Sequence, residues 1–343
     1  MLSNVPQACD DWGSERSGSE AVVRSDTPTG AETVAELGEF ALVDRVAGGR
    51  PQPQSTLLGP GDDAAVVAAS DGRVVASTDV LVEGVHFRFD WSSPEHVGRK
   101  AIAVNLADIV AMGATPTAAL VGLACPSGTK LSVVDGLVAG MWHEATRARV
   151  GVVGGDVVSS DTLVISITAL GDLQGRGAVL RSGAMVGDVV AVCGRLGWSA
   201  AGLAVLGRGF RSPVSVVGAH RSPEPPYAAG QQAAEAGATA MIDVSDGLLS
   251  DLRHVADASS VGIDVRSDLI EVHQRLVDVG SALGADPRHW VLTGGEDHAL
   301  AATFPRPKAV PEGWVTIGTV KRGQGVTVDS RPYEGPGGWQ HFR

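Results

Sequence analysis

The sequence predicts a mixed α/β protein of two domains. Three observations lead there. Its 343 residues exceed what one hydrophobic core usually serves. Short runs rich in β-branched residues alternate with segments of helical period. Finally, 45 glycines signal many tight turns and close backbone approaches.

Residues 1–32, rich in Ser, Asp, Glu, Gly and Thr, read as a disordered extension. Order is expected from Glu32 to Val46, where Val34, Leu37, Phe40, Ala41 and Val46 recur at nearly helical spacing. Strand-like runs follow at Ala64 to Ala68 and Val74 to Thr78, then a helix near Glu95 to Met112 and a strand at Ala118 to Ala124. A longer helix is expected at Leu131 to Arg149, with β-branched strands at Val150 to Val153 and Leu163 to Leu170. The turn-rich stretch GDLQGRGAVLRSGAMVGD places a boundary near 172–182, giving domains at 33–176 and 177–343. Beyond it, Val189 to Cys193, Ala240 to Val244, Leu300 to Phe304 and Val315 to Val320 read as strands, and Gln231 to Ala236 and Leu248 to Ala258 as helices.

The formal charge, 27 minus 39 or −12, disfavours a broad nucleic-acid footprint. Cys9, Cys125 and Cys193 lie far apart, suggesting neither a disulfide framework nor a zinc site, and a reducing, cytoplasmic setting is expected. No apolar run reaches the roughly 18 residues of a spanning helix, and the start MLSNVPQACDDWGSERS lacks a signal-peptide core. No membrane partner is expected.

The informative feature is recurrent: an apolar strand expected to end in a Gly/Ser/Thr turn carrying aspartate. It occurs at Gly59 to Asp63, Ser77-Thr78-Asp79, Gly154-Gly155-Asp156 and Asp243 to Gly247. Asp108 follows Asn105 by three residues on a predicted helix, hence on the same face. Each motif alone is ordinary turn and cap chemistry. Four together favour a site for hard divalent cations, since clustered carboxylates are costly unless they bind cations. GPGDDA at 59–64 fits a dinucleotide fingerprint only superficially, because Asp62 and Asp63 would repel a bare pyrophosphate. DVSDG lacks EF-hand spacing, and P-loop, protein-kinase, zincin and nucleophile-elbow motifs are absent. His86 in VEGVHF reads first as a packed strand-end histidine.

Seven collinear segments then carry a resemblance: GPGDDAAVV (59–67), STDVLVEGVHF (77–87), KAIAVNLADIVAMGATP (100–116), GVVGGDVV (151–158), RSGAMVGD (181–188), IDVSDGLLSDLRH (242–254) and LTGGEDHAL (292–300). Over about residues 35–343 the chain resembles the thiamine-monophosphate kinase family, whose superfamily includes aminoimidazole ribonucleotide synthetase, selenophosphate synthetase and a hydrogenase-maturation dehydratase. The resemblance implies an N-terminal synthetase-like ATP-binding domain with a mixed sheet and flanking helices. A C-terminal α/β domain would close over the site.

It further implies several Mg²⁺ ions held by Asp62, Ser77, Thr78, Asp79, Asp108, Asp156, Asp243 and Asp246, with Asp63 supporting them. Gly155, Arg181 and Ser245 would contact ATP phosphates alongside Asp62 and Asp156; Asp246 and Arg181 would act in catalysis. His86, Glu296 and Trp339 would contact thiamine monophosphate, Trp339 offering an aromatic face to the cationic ring, with a packed C-terminal anchor as the alternative role for it. A K⁺ requirement stays open, and a homodimer paired through N-terminal strands is implied. The implied reaction is direct in-line transfer of the γ-phosphoryl group of ATP to thiamine monophosphate, giving thiamine diphosphate. The chain departs from the family pattern at His298 and Trp339, where the family usually has tyrosine. The sister activities fit less well: Cys9 falls in the extension, and the last residues, His341-Phe342-Arg343, hold no cysteine. A non-catalytic nucleotide or metal binder on the same fold is disfavoured by the intact aspartates.

Overall fold

A computed structural model describes residues 32–60, 64–305 and 310–333. Asp62, Asp63 and Trp339, and all but the last residue of the expected extension, lie outside the described residues.

The first half opens with α1 (Val34–Leu37) and α2 (Glu39–Ala47). The Thr33 side chain caps α1 by accepting from the Glu36 N–H, and Gly38, at φ 81°, separates the two helices. β1 (Thr56–Leu58) and β2 (Val66–Val67) pair antiparallel. Then come β3 (Val75–Val82), α3 (Pro94–Ala111), β4 (Thr115–Cys125), α4 (Leu131–Ala148), β5 (Gly151–Ser159) and β6 (Val164–Asp172). β3 to β6 form a sheet in the order β3-β6-β4-β5, with β4 and β5 parallel across the α4 crossover and the other pairs antiparallel. Ile165, Ile167 and Ala169 face Ile102, Leu106, Ile109 and Leu137 in one core. The opposite face leaves Val80, Leu120 and Val158 exposed.

α3 starts cleanly because Ser93 caps it and Pro94 occupies its first turn. It crosses α4 at two glycines: a Cβ on Gly98 would lie 1.9 Å from the Leu137 carbonyl oxygen, and one on Gly140 2.0 Å from that of Glu95.

The second half runs β7 (Val189–Cys193), α5 (Trp198–Gly207), α6 (Val214–Arg221), α7 (Tyr227–Glu235), β8 (Ala240–Val244), α8 (Leu248–Ser259), β9 (Gly262–Val265), α9 (Gln274–Leu283), α10 (Pro287–Thr293), β10 (Ala299–Phe304), β11 (Val315–Lys321) and β12 (Gly325–Val328). Its sheet has the order β12-β9-β11-β7-β10-β8, antiparallel except for β9 and β12. One face packs on α5, α6, α8, α9 and α10. The other buries Met241, Leu300 and Phe304 against α7 and against Val110 and Ala111 of α3. A Cβ on Gly230 of α7 would lie 2.1 Å from the Val110 carbonyl oxygen, so α3 is gripped from both sides. That places the C-terminal end of α3 between the two sheets.

Two expectations need correction. Ser77-Thr78-Asp79 and Gly154-Gly155-Asp156 are not at strand ends: β3 pairs with β6 without interruption from Val75 to Val82, and β5 runs through Gly155 to Ser159 against β4. Asp243 does close a strand, and the turn after it leads into α8 as expected. β1, α5, α6, β9, α9, α10 and β12 were not anticipated: α5 is apolar on all sides and carries no period, and β9 and β12 have four residues each.

Candidate active site

Ser77 and Asp79, two residues apart on β3, turn toward α3. The Ser77 hydroxyl donates to Asp108 Oδ2 at 2.7 Å, and the Asp79 N–H donates to Asn105 Oδ1 at 2.8 Å. Asn105, with no accessible surface, is fixed by donating from Nδ2 to the Ala101 carbonyl at 2.9 Å. The expected shared face of Asn105 and Asp108 is thus the face that meets β3. Across from them, Asp243 near the end of β8 accepts from His298 Nδ1 at 3.0 Å. Burial pushes the Asp108 carboxyl up to about 6, helped by the charges of Asp243 and Asp79 and opposed by the Ser77 hydrogen bond. Burial lowers His298, but the hydrogen bond and charge of Asp243 outweigh it and raise it.

The turn after β8 presents Ser245 and Asp246 ahead of Gly247. Gly247 has φ 116°, and a Cβ there would sit 2.4 Å from the Thr293 carbonyl oxygen, so no other residue fits. Asp251, one turn into α8, reaches back to accept from the N–H groups of Asp246 (3.1 Å) and Gly247 (3.0 Å). Burial, with the charge of Asp243, pushes Asp251 up to about 7. The segment 295–298 is bound to this turn by Glu296 N–H donating to the Ser245 carbonyl at 2.7 Å and His298 N–H to that of Val244 at 2.9 Å. Glu296 (φ 63°) and His298 (φ 51°) both take left-handed backbone conformations, which orient their side chains inward at some cost in strain.

Two cavities flank these carboxylates. The first, about 520 Å³, is walled by Asp79, His86, Lys100, His220, Asp246 and Glu296, with Phe87, Trp91 and Leu203 giving it an apolar side. The second, about 600 Å³, is lined by Ser77, Asp108, Arg181 and Asp243 with Ile109, Met112 and Met241. In the first, Glu296 Oε1 meets Lys100 Nζ at 2.7 Å and Oε2 meets His220 Nδ1 at 3.4 Å. Burial would raise Glu296, yet Lys100 and then His220 hold it down at about 2. His220 is pushed down to about 4 by burial and Lys100, so it is neutral near pH 7.

Of the residues predicted from sequence, Asp79, His86, Ser245, Asp246 and Glu296 line the first cavity, and Ser77, Asp108, Arg181 and Asp243 the second. Thr78, Gly155 and Asp156 line neither. The Thr78 hydroxyl donates to the Ile167 carbonyl at 2.9 Å and lies 3.2 Å from the Thr168 hydroxyl, on the sheet face away from α3. Asp156 is exposed and accepts from the Val157 N–H at 2.8 Å. Gly155 has a packing reason of its own, since its Cβ would lie 1.9 Å from the Val121 carbonyl oxygen. Among the described residues no three acidic, histidine or cysteine side chains stand ready around a single metal position. The donor chemistry nonetheless suits a hard cation: burial, with the charges of Asp243 and Asp79, raises the Asp108 carboxyl, and an oxygen-liganded divalent ion would compensate that crowding of negative charge.

Sequence reasoning missed Lys100, His220, Asp251 and Asp297. Asp297 accepts from the N–H groups of Gly197 (2.5 Å) and Ser199 (2.8 Å), so it anchors the start of α5 beside the first cavity. A lysine inside the apolar run KAIAVNLADIVA was the one available signal, because such a charge is rarely buried without a partner.

Family models agree with this architecture: the AIR synthase related protein N-terminal domain matches residues 61–173, and its C-terminal domain matches 185–292. The chain is 54% identical over 316 residues to the thiamine-monophosphate kinase of Mycobacterium tuberculosis, covering 92% of this chain and 94% of that one. Among solved structures it is similar to AaThiL complexed with AMPPCP and TMP, 33% identical with TM-score 0.75, covering 92% of this chain and 100% of the other. It also matches thiamine-monophosphate kinase from Stenotrophomonas maltophilia K279a, 30% identical with TM-score 0.75, over 86% of this chain and 98% of that one. With the carboxylate floor, the DVSDG turn and this likeness along nearly its whole length, the chain belongs to the thiamine-monophosphate kinase family of AIR synthase related proteins.

Proposed function

We propose that this chain transfers the γ-phosphoryl group of ATP directly to thiamine monophosphate, giving thiamine diphosphate and ADP. The observation that carries the proposal is the pair of cavities meeting at one floor of carboxylates, in a family whose member AaThiL has been seen with AMPPCP and TMP together. The first cavity, with apolar and aromatic walls beside Glu296, suits an acceptor bearing a cationic ring. The second, with Arg181 beside Ser77, Asp108 and Asp243, suits the nucleotide.

Asp79, Asp108, Asp243 and Asp246 with Ser77, and Asp62 by family pattern, would hold Mg²⁺, which when bound neutralises charge between the two phosphate-bearing substrates. This chain's own residues position the rest. Arg181 approaches the transferred group from the nucleotide side, Ser245 meets the phosphates, and His86 and Glu296 orient the acceptor. The acceptor phosphate oxygen is already largely ionised at neutral pH, so no strong base is required.

The division into domains 33–176 and 177–343, a homodimer, and a cytoplasmic setting belong to the same proposal. The exposed apolar row Val80, Leu120 and Val158 supports pairing through the first sheet, and Thr78 and Asp156 share that face, so their roles depend on that pairing. No helix among the described residues is long and apolar enough to cross a membrane.

The test incubates the protein with ATP, Mg²⁺ and either thiamine monophosphate or thiamine, with Asp246→Ala as control. Thiamine diphosphate from the monophosphate alone, lost without Mg²⁺ and in the variant, is expected; replacing K⁺ by Na⁺ settles the monovalent cation. No product from either acceptor sinks the assignment.

A further inference from the structure

Lys100 lies in the second turn of α3 with 4% of its surface accessible, in a stretch whose neighbours Val97, Ala101, Ile102 and Ala103 are all core. Burying an ammonium there is costly unless it is paired, so its partners explain its presence. Nζ donates to Glu296 Oε1 at 2.7 Å and to the His86 carbonyl at 3.1 Å. The other oxygen of Glu296 meets His220 Nδ1, and the Ser199 hydroxyl meets the same nitrogen at 3.0 Å. One ammonium from the first half therefore joins three walls of the first cavity: the 84–87 turn, the 295–298 segment of the second half, and α6. Glu296 sits in a strained left-handed conformation with 37% of its side chain accessible, so it would find other rotamers if the ammonium were removed.

We propose that Lys100 is a positioning residue for the acceptor: it fixes the Glu296 carboxylate and the His86 turn in the geometry that receives the acceptor molecule, without touching the phosphates itself. This rests on the first cavity being the acceptor site. Lys100 has no contact with the second cavity, so its effect must fall on one substrate only.

The test compares wild type, Lys100→Met and Lys100→Arg in steady-state kinetics, varying thiamine monophosphate and ATP separately. Lys100→Met is expected to raise KM for thiamine monophosphate at least tenfold, leave KM for ATP within twofold and lower kcat less than threefold. Lys100→Arg, which keeps the charge in a different donor geometry, is expected to raise only the same KM, by about three- to fivefold. Unchanged KM values in either variant, or equal rises for both substrates, overturn the role. If Lys100→Met does not fold, Lys100→Arg decides alone. A wild type that makes no thiamine diphosphate overturns the kinase reading itself, and this inference with it.

Discussion

Asp108 carries the conflict at the heart of the site. It is half-buried against Ser77 with Asp243 and Asp79 nearby, and each of those surroundings except the hydroxyl favours its protonated form. An acid whose folded pKa lies above its unfolded value penalises the fold once the pH exceeds the unfolded value. Asp108→Asn keeps an acceptor for Ser77 and deletes that charge, so the metal-free variant should be more stable than wild type at pH 7 by about 1–3 kcal/mol. It should also lose catalysis and the rise in Tm on adding Mg²⁺. Thermal melts with and without Mg²⁺ check both; a metal-free Tm below wild type contradicts the account. At this scale Asp79, Asp108, Asp243 and Asp246 could be picked out of the sequence as candidates because carboxylates beside glycine and hydroxyl residues have few purposes in combination, and the structure brings these four to the walls of the two cavities. Lys100 and His220 were not, because their meaning lies in partners 196 and 76 residues away, respectively, both contacts falling on Glu296.

Among the elements, α3 joins chemistry to packing. Its polar residues Asn105 and Asp108 face β3, while its glycine contacts bring α4 and α7 close enough to fix its axis. Gly140→Ala would gain up to about 1 kcal/mol of helix propensity, but its methyl meets the Glu95 carbonyl oxygen, which cannot move without bending α3. A net loss of about 2 kcal/mol is expected, with a fall in activity as the Asp108 face shifts. Gly218→Ala in α6, where nothing lies within 4 Å, is the contrast and should stabilise slightly. Denaturant midpoints of the two variants should move in opposite directions. Long elements with caps, such as α3 after Ser93-Pro94, were readable; α5 was not, because apolar residues surround it and no stripe remains to count. Strand-end turns were over-read at Ser77 and Gly154, since glycine, serine and threonine inside a strand look locally like its end, and only the continuous pairing with β6 and β4 shows otherwise.

For the whole molecule, buried acids and a buried histidine oppose one another. Asp108 at about 6 and Asp251 and Asp297 at about 7 all have folded values above the unfolded ones, raised chiefly by burial, so their penalty is relieved as pH falls from about 7 toward 4. His220, depressed to about 4 by burial, works the other way: its unfolded form takes a proton below about 6.5 and the folded form resists, so stability falls between those values. Glu296, held at about 2, adds stability above about 4.5 that is lost on further acidification. Three acids against one histidine place the stability maximum of the metal-free protein on the acid side, below about pH 5. Mg²⁺, by favouring ionised Asp108, should shift that maximum upward; Tm measured from pH 4 to 8 with and without Mg²⁺ checks the shift. The sequence by itself determined the α/β class, the order of the long elements and the family, because periodicity, turn residues and collinear motifs are local properties. Tertiary structure alone decided that Asp79 and Asp108 meet Asp243 at one floor, that Thr78 and Asp156 turn to another face, and that Lys100 closes a wall of the first cavity. Those facts depend on sheet register and on α3 lying between two sheets, and a one-residue change in register would reverse which carboxylates face inward.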